Sequence, residues 1–339
     1  MTTRNGLAQF ASDFASYGIY RAIVNARIQS PTPLQPEENW HFWTANKSAV
    51  IDFIASIYPT KMQQNAYMNA LWRETHADGI EDHYDVSNEF YDLFLDTQYK
   101  FYTCALHTSD AETLEQAQEN KAHYLRSLLR LQGSEKVLDL GCGWGAMLKF
   151  LRDNGHTGEL HGFTLSKEQL AYNQQTLGFS VSLTDFITQP FKDAPYDRIY
   201  SIGSFEHVRP HELQTVYQKV YDALAPGGIA VHQFFSLERP LMPASAFLGQ
   251  LYFPGSLLSP HADHIAAAEQ AGFKIIHDAI GDYRPTLKAW YDRLAANQDR
   301  AIAIVGLEVY NRYMTFFPNS WTFFHYNESA LHRMVMEKP

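Results

Sequence analysis

From about residue 137 onward, short apolar runs alternate along the chain with stretches whose apolar residues recur at helical spacing. Runs at 137–140, 159–164, 181–183, 197–202 and 229–234 read as strands, and 167–177 and 211–224 as helices between them. Upstream, Leu114, Ala117, Tyr124, Leu125 and Leu128 share one face of a helix over 114–129, and Gly133 separates it from the first strand. Strands that alternate with helices predict an α/β fold on a doubly wound, mostly parallel sheet. Such sheets bind ligands at the carboxyl ends of their strands, so the chemistry is sought in the loops that follow each run.

The flanks follow a different pattern. Pro31, Pro33, Pro36 and Pro59 punctuate the start of the chain, and Val50, Ile51, Ile54, Ile57 and Tyr58 recur there at helical spacing. A second stripe, Met68, Leu71 and Trp72, stops near Asp78-Gly79. These features predict a helical N-terminal extension over 1–80, its stripes facing a core, ahead of a larger domain over 81–339. Residues 238–259 are rich in proline, leucine and phenylalanine without a period of their own. They read as a helical lid or as a buried insertion, with the inserted stretch expected to run from about 238 to 290.

A chain of 339 residues, 45% hydrophobic and 14% aromatic, fills one large domain and an appended one. Its 37 acidic against 27 basic residues leave a formal charge of -10, which argues against nucleic acid as a partner. Net charge does not speak against a local docking patch for peripheral contact with a membrane. The two cysteines, Cys104 and Cys142, are too few for a disulfide scaffold and form no C-x-x-C pair, so a reducing cytoplasm is expected and no metal site. The first ten residues lack a cationic region followed by an apolar core, so no secretory signal is expected. The longest apolar run, 301–307, falls well short of the ~18 residues of a spanning helix. The expectation is a soluble protein, or one peripheral at a membrane.

Val137-Leu138-Asp139-Leu140-Gly141-Cys142-Gly143-Trp144-Gly145 reads as a buried strand that breaks into a glycine-rich turn against a helix start. Each glycine removes a Cβ where a ligand approaches the backbone, and the helix start offers N–H groups to a polar or anionic group. The G-x-G-x-G spacing differs from the G-x-G-x-x-G of dinucleotide folds and lacks the Gly-Lys-Ser/Thr of phosphate loops. It resembles the first motif of S-adenosylmethionine-dependent methyltransferases, which would set Asp139, Gly141 and Gly143 beside the amino acid part of that cofactor.

Cys104, Glu206 with His207, His232 and Tyr283 stand where strand ends or turns should bring them near the glycine turn. With them come wider motifs: His83-Tyr84-Asp85, Phe90-Tyr91-Asp92-Leu93-Phe94-Leu95-Asp96, Tyr102-Thr103-Cys104-Ala105 and Ser201-Ile202-Gly203-Ser204-Phe205-Glu206-His207-Val208. Gly162-Phe163-Thr164-Leu165-Ser166, Tyr283-Arg284-Pro285-Thr286-Leu287-Lys288-Ala289-Trp290 and Glu308-Val309-Tyr310-Asn311-Arg312-Tyr313-Met314 follow in order. Over about residues 80 to 315 this set is similar to the cyclopropane fatty acid synthases, the mycolic acid cyclopropane synthases in particular.

The resemblance implies a class I, Rossmann-like methyltransferase with S-adenosylmethionine across its strand ends. Tyr102 and Thr103 would flank the cofactor, with Gly141 and Gly143 under its methionine part. Thr164, Leu165 and Gln169 would address the ribose, a hydroxyl and an amide replacing the acid many methyltransferases place there. Asp185 and Phe186 would lie against the adenine. Cys104, Glu206, His232 and Tyr283 would gather around a bicarbonate beside the transferred methyl. The implied reaction is attack of an acyl-chain double bond on the sulfonium methyl, then proton removal to close a ring, in a dry, aromatic-lined pocket.

Three departures bear on the substrate. His232-Gln233-Phe234 stands where the family usually reads His-Thr-Ile, and Arg209 where a glycine is common. Phe317-Pro318-Asn319-Ser320-Trp321-Thr322-Phe323-Phe324 replaces a Phe-Arg segment and would alter the far wall of an acyl pocket. The leading expectation is methylene or methyl transfer to an unsaturated acyl lipid. The alternatives are N- or C-methylation of a small hydrophobic metabolite, or a non-catalytic subunit that binds lipid and cofactor.

Overall fold

The computed structural model describes residues 18, 20–45, 87–239, 249, 251–253 and 257–339. The stripes expected at 50–58 and 68–72, the His83-Tyr84-Asp85 motif and much of the proline-rich stretch after 239 lie outside the described residues.

The described part divides into two units. One comprises Leu95–Ser236, Leu258–Tyr283 and Ala330–Pro339, and it holds the sheet. Its strands are β1 (Val137–Leu140), β2 (Leu160–Thr164), β3 (Ser180–Leu183), β4 (Tyr196–Ile202), β5 (Leu224–Leu237), β6 (Lys274–Gly281) and β7 (Ser329–Glu337), in the order β3-β2-β1-β4-β5-β7-β6. From β3 to β5 neighbouring strands run parallel, with Leu138 opposite His161 and Ile199, and Tyr200 opposite Val231. The chain winds outward from β1 through β2 to β3, then returns to add β4 and β5 on the other side. β1 and β4 therefore form the switch point at which the loops after two adjacent strands diverge and leave a crevice.

Both faces of the sheet are covered, which explains why its central strands read as unbroken apolar runs. Leu138, Leu140, Ile199 and Ala230 pack with Val216, Tyr217 and Val220 of the helix Leu213–Ala223 and Ala267, Ala268 and Ala271 of the helix His261–Ala271. On the opposite face Val137, Tyr200, Ile202 and Val231 pack with Leu125 of the helix Leu114–Leu128 and Met147, Phe150 and Leu151 of the helix Ala146–Asp153. A capping box, in which Thr113 and Gln116 satisfy each other's backbone N–H groups, starts the Leu114–Leu128 helix.

Three differences from the sequence pattern have physical causes. Residues 225–228, between the expected helix and strand, belong to β5, because the Gly227 N–H donates to the Lys338 carbonyl and the Lys338 N–H to that of Gly228, both at 2.9 Å. The antiparallel pair β6 and β7 has no counterpart among the expected strands. β6 is an edge strand with no fully buried position, and β7 carries the polar, buried His332 and Arg333 among its apolar residues, so neither shows a clean apolar signal. The stretch expected as an insertion over 238–290 is divided, since Leu258–Tyr283, with a helix on the sheet and β6 within it, belongs to the sheet unit.

The other unit gathers residues up to Phe94 with Leu237–Leu257 and Arg284–Ser329. Its described helices include Pro36–Thr44, Asn88–Tyr91, Arg284–Ala296 and Gln298–His325, the last broken at Gly306, where φ is +81°. Phe90, Phe94, Tyr313 and Phe317 form an aromatic cluster, with the Phe90 and Tyr313 rings 4.9 Å apart edge to face. The departing segment after Phe317 thus continues a helix whose Phe317 is fully buried. Among the described residues no helix is long and apolar enough to cross a membrane.

Candidate functional site

The glycine turn leaves β1 and enters the Ala146–Asp153 helix through Gly145, which caps it in the left-handed conformation at φ +73°. A Cβ on Gly145 would collide with Asn173 Oδ1. Asn173 begins a π turn, Asn173–Leu177, and its side-chain nitrogen donates to the Gly143 carbonyl and the Gln169 carbonyl, both at 2.8 Å. Gly141, at φ +89°, lies so close to the loop after β4 that a Cβ would fall 2.6 Å from Ser204 Cβ. Ser204 Oγ donates to the Leu140 carbonyl and so ties that loop to β1. Gly143 is different: at φ +54°, a Cβ there would meet no atom within 4 Å. The turn is clamped at Gly141 and Gly145 and open above Gly143, and that open space fits a ligand lying against the backbone.

Around this cradle the expected contacts of S-adenosylmethionine are variously disposed. Thr164 and Gln169 are buried and joined, Thr164 Oγ1 donating to Gln169 Oε1 at 2.7 Å, which leaves the Gln169 side-chain NH2 as the outward donor of the pair. Leu165, between them in sequence, is half-buried. Asp185 accepts from the Ile187 N–H at 2.9 Å and from Thr188 Oγ1 at 2.6 Å, so its carboxylate is committed to its own turn. The Phe186 ring stacks on Phe205, 5.8 Å between centroids, and joins the core. Asp139 is buried within β1, one carboxyl oxygen without a partner, and burial pushes its carboxyl up to about 8. Tyr102 is half-buried, and Thr103 Oγ1 accepts from the buried Lys121 ammonium at 2.8 Å.

At the end of β4, Gly203 turns the chain at φ +72° into the short helix Phe205–His207 that carries Glu206. A Cβ on Gly203 would stand 2.6 Å from Thr103 Cγ2 and 3.7 Å from Glu206 Oε1, so the Tyr102–Cys104 segment and Glu206 close around this glycine. Glu206 is 6% exposed and its Oε2 has no hydrogen-bond partner. Burial pushes its carboxyl up to about 8, so at neutral pH it carries its proton. His232, on β5 opposite Ser201, is fully buried with both ring nitrogens unpartnered, and burial pushes it down to about 3, so the imidazole is neutral. Its ring stacks on Phe205, the neighbour of Glu206, at 3.8 Å and 18°. Glu206 and His232 do not hydrogen-bond each other.

Cys104 is buried, and its thiol donates to the carbonyl of Asp282 at 3.4 Å, which brings the backbone just before Tyr283 to it. Tyr283 itself is half-buried. The Cys104 carbonyl accepts from Gln233 Nε2 at 3.1 Å, and Gln233 Oε1 accepts from Arg333 Nε at 2.8 Å. The residue that departs from the family pattern is therefore a strut between the Cys104 backbone and a buried arginine. Arg209, another departure, donates through Nη2 to Glu212 Oε1 at 2.6 Å, and its backbone N–H donates to Glu212 Oε2 at 3.0 Å, closing the loop before the Leu213–Ala223 helix. The sequence reading did not single out Asn173, Ser204 or Arg333. The only signal for Ser204 was its place in the motif after β4, and Arg333 sits on a strand the pattern did not reveal.

The Cys104 segment is thus tied to the Asp282 backbone, to Gln233 beside His232 and, through Thr103 against Gly203, to the loop of Glu206, and three buried polar atoms of the Glu206 and His232 side chains are unsatisfied. A buried polar group without a partner costs about 1–3 kcal/mol, so this set can take a small polar ligand or water. A protonated carboxyl offers a donor and a neutral imidazole one donor and one acceptor, a set that fits bicarbonate.

Comparison with known proteins bears on the fold and the family. Residues 72–334 match the family model of mycolic acid cyclopropane synthetase. A probable fatty acid methyltransferase of Pseudomonas putida is 34% identical over 69% of this chain, and the chain spans 62% of that relative's length. UmaA of Mycobacterium tuberculosis, an S-adenosylmethionine-dependent methyltransferase, is 32% identical over 75% of this chain and 95% of its own. The crystal structure of mycolic acid cyclopropane synthase CmaA1 complexed with SAH and CTAB has a TM-score of 0.70 at 29% identity, covering 78% of this chain and 99% of that one. The fold is that of the class I S-adenosylmethionine-dependent methyltransferases. Within that class the chain belongs to the mycolic acid cyclopropane synthetase family.

Proposed function

We propose that this chain transfers the methyl carbon of S-adenosylmethionine to the double bond of an unsaturated acyl lipid, with bicarbonate held at Glu206 and His232. The unpaired, buried Glu206 Oε2 and His232 nitrogens carry the reading. The names of the P. putida relative and CmaA1 point the same way for the substrate class.

When bound, S-adenosylmethionine supplies a methyl carbon on a positive sulfur, and bicarbonate a base for the proton that leaves. The open space above Gly143 seats the amino acid part of the cofactor, and the Gln169 NH2 donates toward its ribose. Glu206, held protonated, donates a hydrogen bond to the oxyanion instead of repelling it. His232, held neutral, leaves the basic role to the anion and is kept in plane by Phe205. Gln233 fixes the Cys104 backbone, which with the Tyr283 hydroxyl would complete the anion's hydrogen bonds. An alkene is a poor nucleophile, so alignment and water exclusion supply much of the rate. S-adenosylmethionine would supply the methyl carbon for the new C–C bond, leaving as its thioether, and bicarbonate held by Glu206 and His232 would supply the base that takes the proton lost as a three-membered ring closes.

The test is incubation of the chain with methyl-labelled S-adenosylmethionine and vesicles of phospholipid carrying unsaturated or saturated chains. Label in the unsaturated lipid alone is expected, with hydrogenation and mass analysis separating ring from branch. Label in neither lipid, or equally in both, contradicts the proposal.

A further inference from the structure

We infer that His261, Asp278 and His332 form a metal site in the sheet unit, built for zinc or a similar borderline cation and apart from the transfer site. The three side chains come from three elements: the first residue of the His261–Ala271 helix, β6 and β7. Their ligand atoms all lie within 4.8 Å of one another. β6 and β7 set two of them on one face, because Asp278 is opposite Met334 and Ile280 opposite His332, so Asp278 and His332 are diagonal neighbours. The helix start brings His261 over that face, its Nε2 2.5 Å from Asp278 Oδ2, while His332 Nδ1 lies 3.6 Å from Asp278 Oδ1.

The rest of the cluster suits a cation better than a salt bridge. Among the described residues the ion-pair partners of Asp278 are the two histidines, with no lysine or arginine beside them. The two imidazoles lie face to face, centroids 3.6 Å apart and planes 10° apart, so both rings border the same carboxylate. Phe234 stands 6.1 Å from each ring and limits their rotation. His261 Nδ1 is buried without a partner. The Asp278 side chain, 28% exposed, leaves a way in for the ion and a position for water. Two ligands on one tetrahedral zinc lie roughly 3.3 Å apart, given bonds of ~2.0–2.1 Å, so shifts of about 1 Å gather this set. A cation there takes the place of the direct contact between His261 and Asp278. Two imidazoles with one carboxylate favour zinc over magnesium or calcium, which prefer oxygen donors throughout.

The spacing 261, 278, 332 matches no zinc motif, so nothing in the pattern of residues signals the site. The test is calorimetric titration of the full chain with zinc chloride, without cofactor or lipid, supported by the visible absorption of added cobalt(II). The conservative variants His261→Gln and Asp278→Asn keep hydrogen-bonding capacity, and circular dichroism checks that each is folded. Saturable zinc uptake by the natural chain, weakened about 10- to 100-fold or more in both variants, is expected. No saturable uptake, or uptake equally strong in both folded variants, overturns the site.

Discussion

Around the glycine turn the clamping groups are paired: the Asn173 side-chain nitrogen holds the Gly143 carbonyl, Ser204 the Leu140 carbonyl, and Thr164 and Gln169 hold each other, while Asn173 Oδ1 and one Asp139 oxygen stay buried without a partner. Around Glu206 and His232 no protein group meets three buried polar atoms, and both side chains are driven to their neutral forms. The first region is a finished scaffold whose open space is defined by packing, so its ligand affinity should depend on shape. The second stores unsatisfied hydrogen bonds, so its role should depend on protonation and on a small guest.

The largest effect that would sharpen this contrast is on stability. A carboxyl that titrates near 4.5 unfolded and near 8 folded binds more protons in the folded state across that window, so folding stability falls as pH rises from about 4.5 to 8. His232 acts in the opposite sense below its unfolded pKa of 6.5, adding stability as pH rises from about 3 to 6.5. In urea unfolding at pH 5 and pH 8.5, Glu206→Gln should gain on the natural chain by up to about 4 kcal/mol at the higher pH. A gap that does not move with pH would mean that Glu206 is charged and paired in the folded protein.

Next comes the scaffold. Gly145→Ala places a methyl against Asn173 at a positive φ and should destabilise by roughly 2–4 kcal/mol, without pH dependence, in the same urea measurement. A loss below 1 kcal/mol, or one that tracks pH, would undo the distinction between the two regions.

The contrast also separates what could be read in the sequence from what could not. The β1 turn was legible because its requirements are local: three glycines at positive φ directly after a buried strand. The central parallel strands β1, β4 and β5 were legible because burial on both faces makes them largely apolar runs. β7 was not, because Arg333 and His332 break its run, and their partners Gln233 and Asp278 are distant in sequence. Likewise the choice of Asp185 and Phe186 for the adenine rested on resemblance. The structure gives both local work, a turn and a core stack, that no spacing foretells.

A smaller effect concerns affinity. Gly143→Leu fills the open space above the turn and should weaken S-adenosylmethionine about 10-fold, a change of ~1.4 kcal/mol by calorimetry, with little further loss of stability than a left-handed residue costs. Unchanged affinity would remove the cofactor from that space. Gln233→Thr, which cuts the strut to Cys104 and Arg333, should cost about 1–3 kcal/mol of stability and slow transfer with cofactor affinity intact.

One comparison goes to the centre of the account: cofactor affinity and methyl transfer measured side by side on Glu206→Gln, with bicarbonate varied. If the buried pair holds the base and the glycine turn holds the cofactor, affinity for S-adenosylmethionine stays within about threefold while transfer falls ~10²-fold or more and loses its response to bicarbonate. Affinity and transfer falling together, or a variant that still answers to bicarbonate like the natural chain, would contradict it.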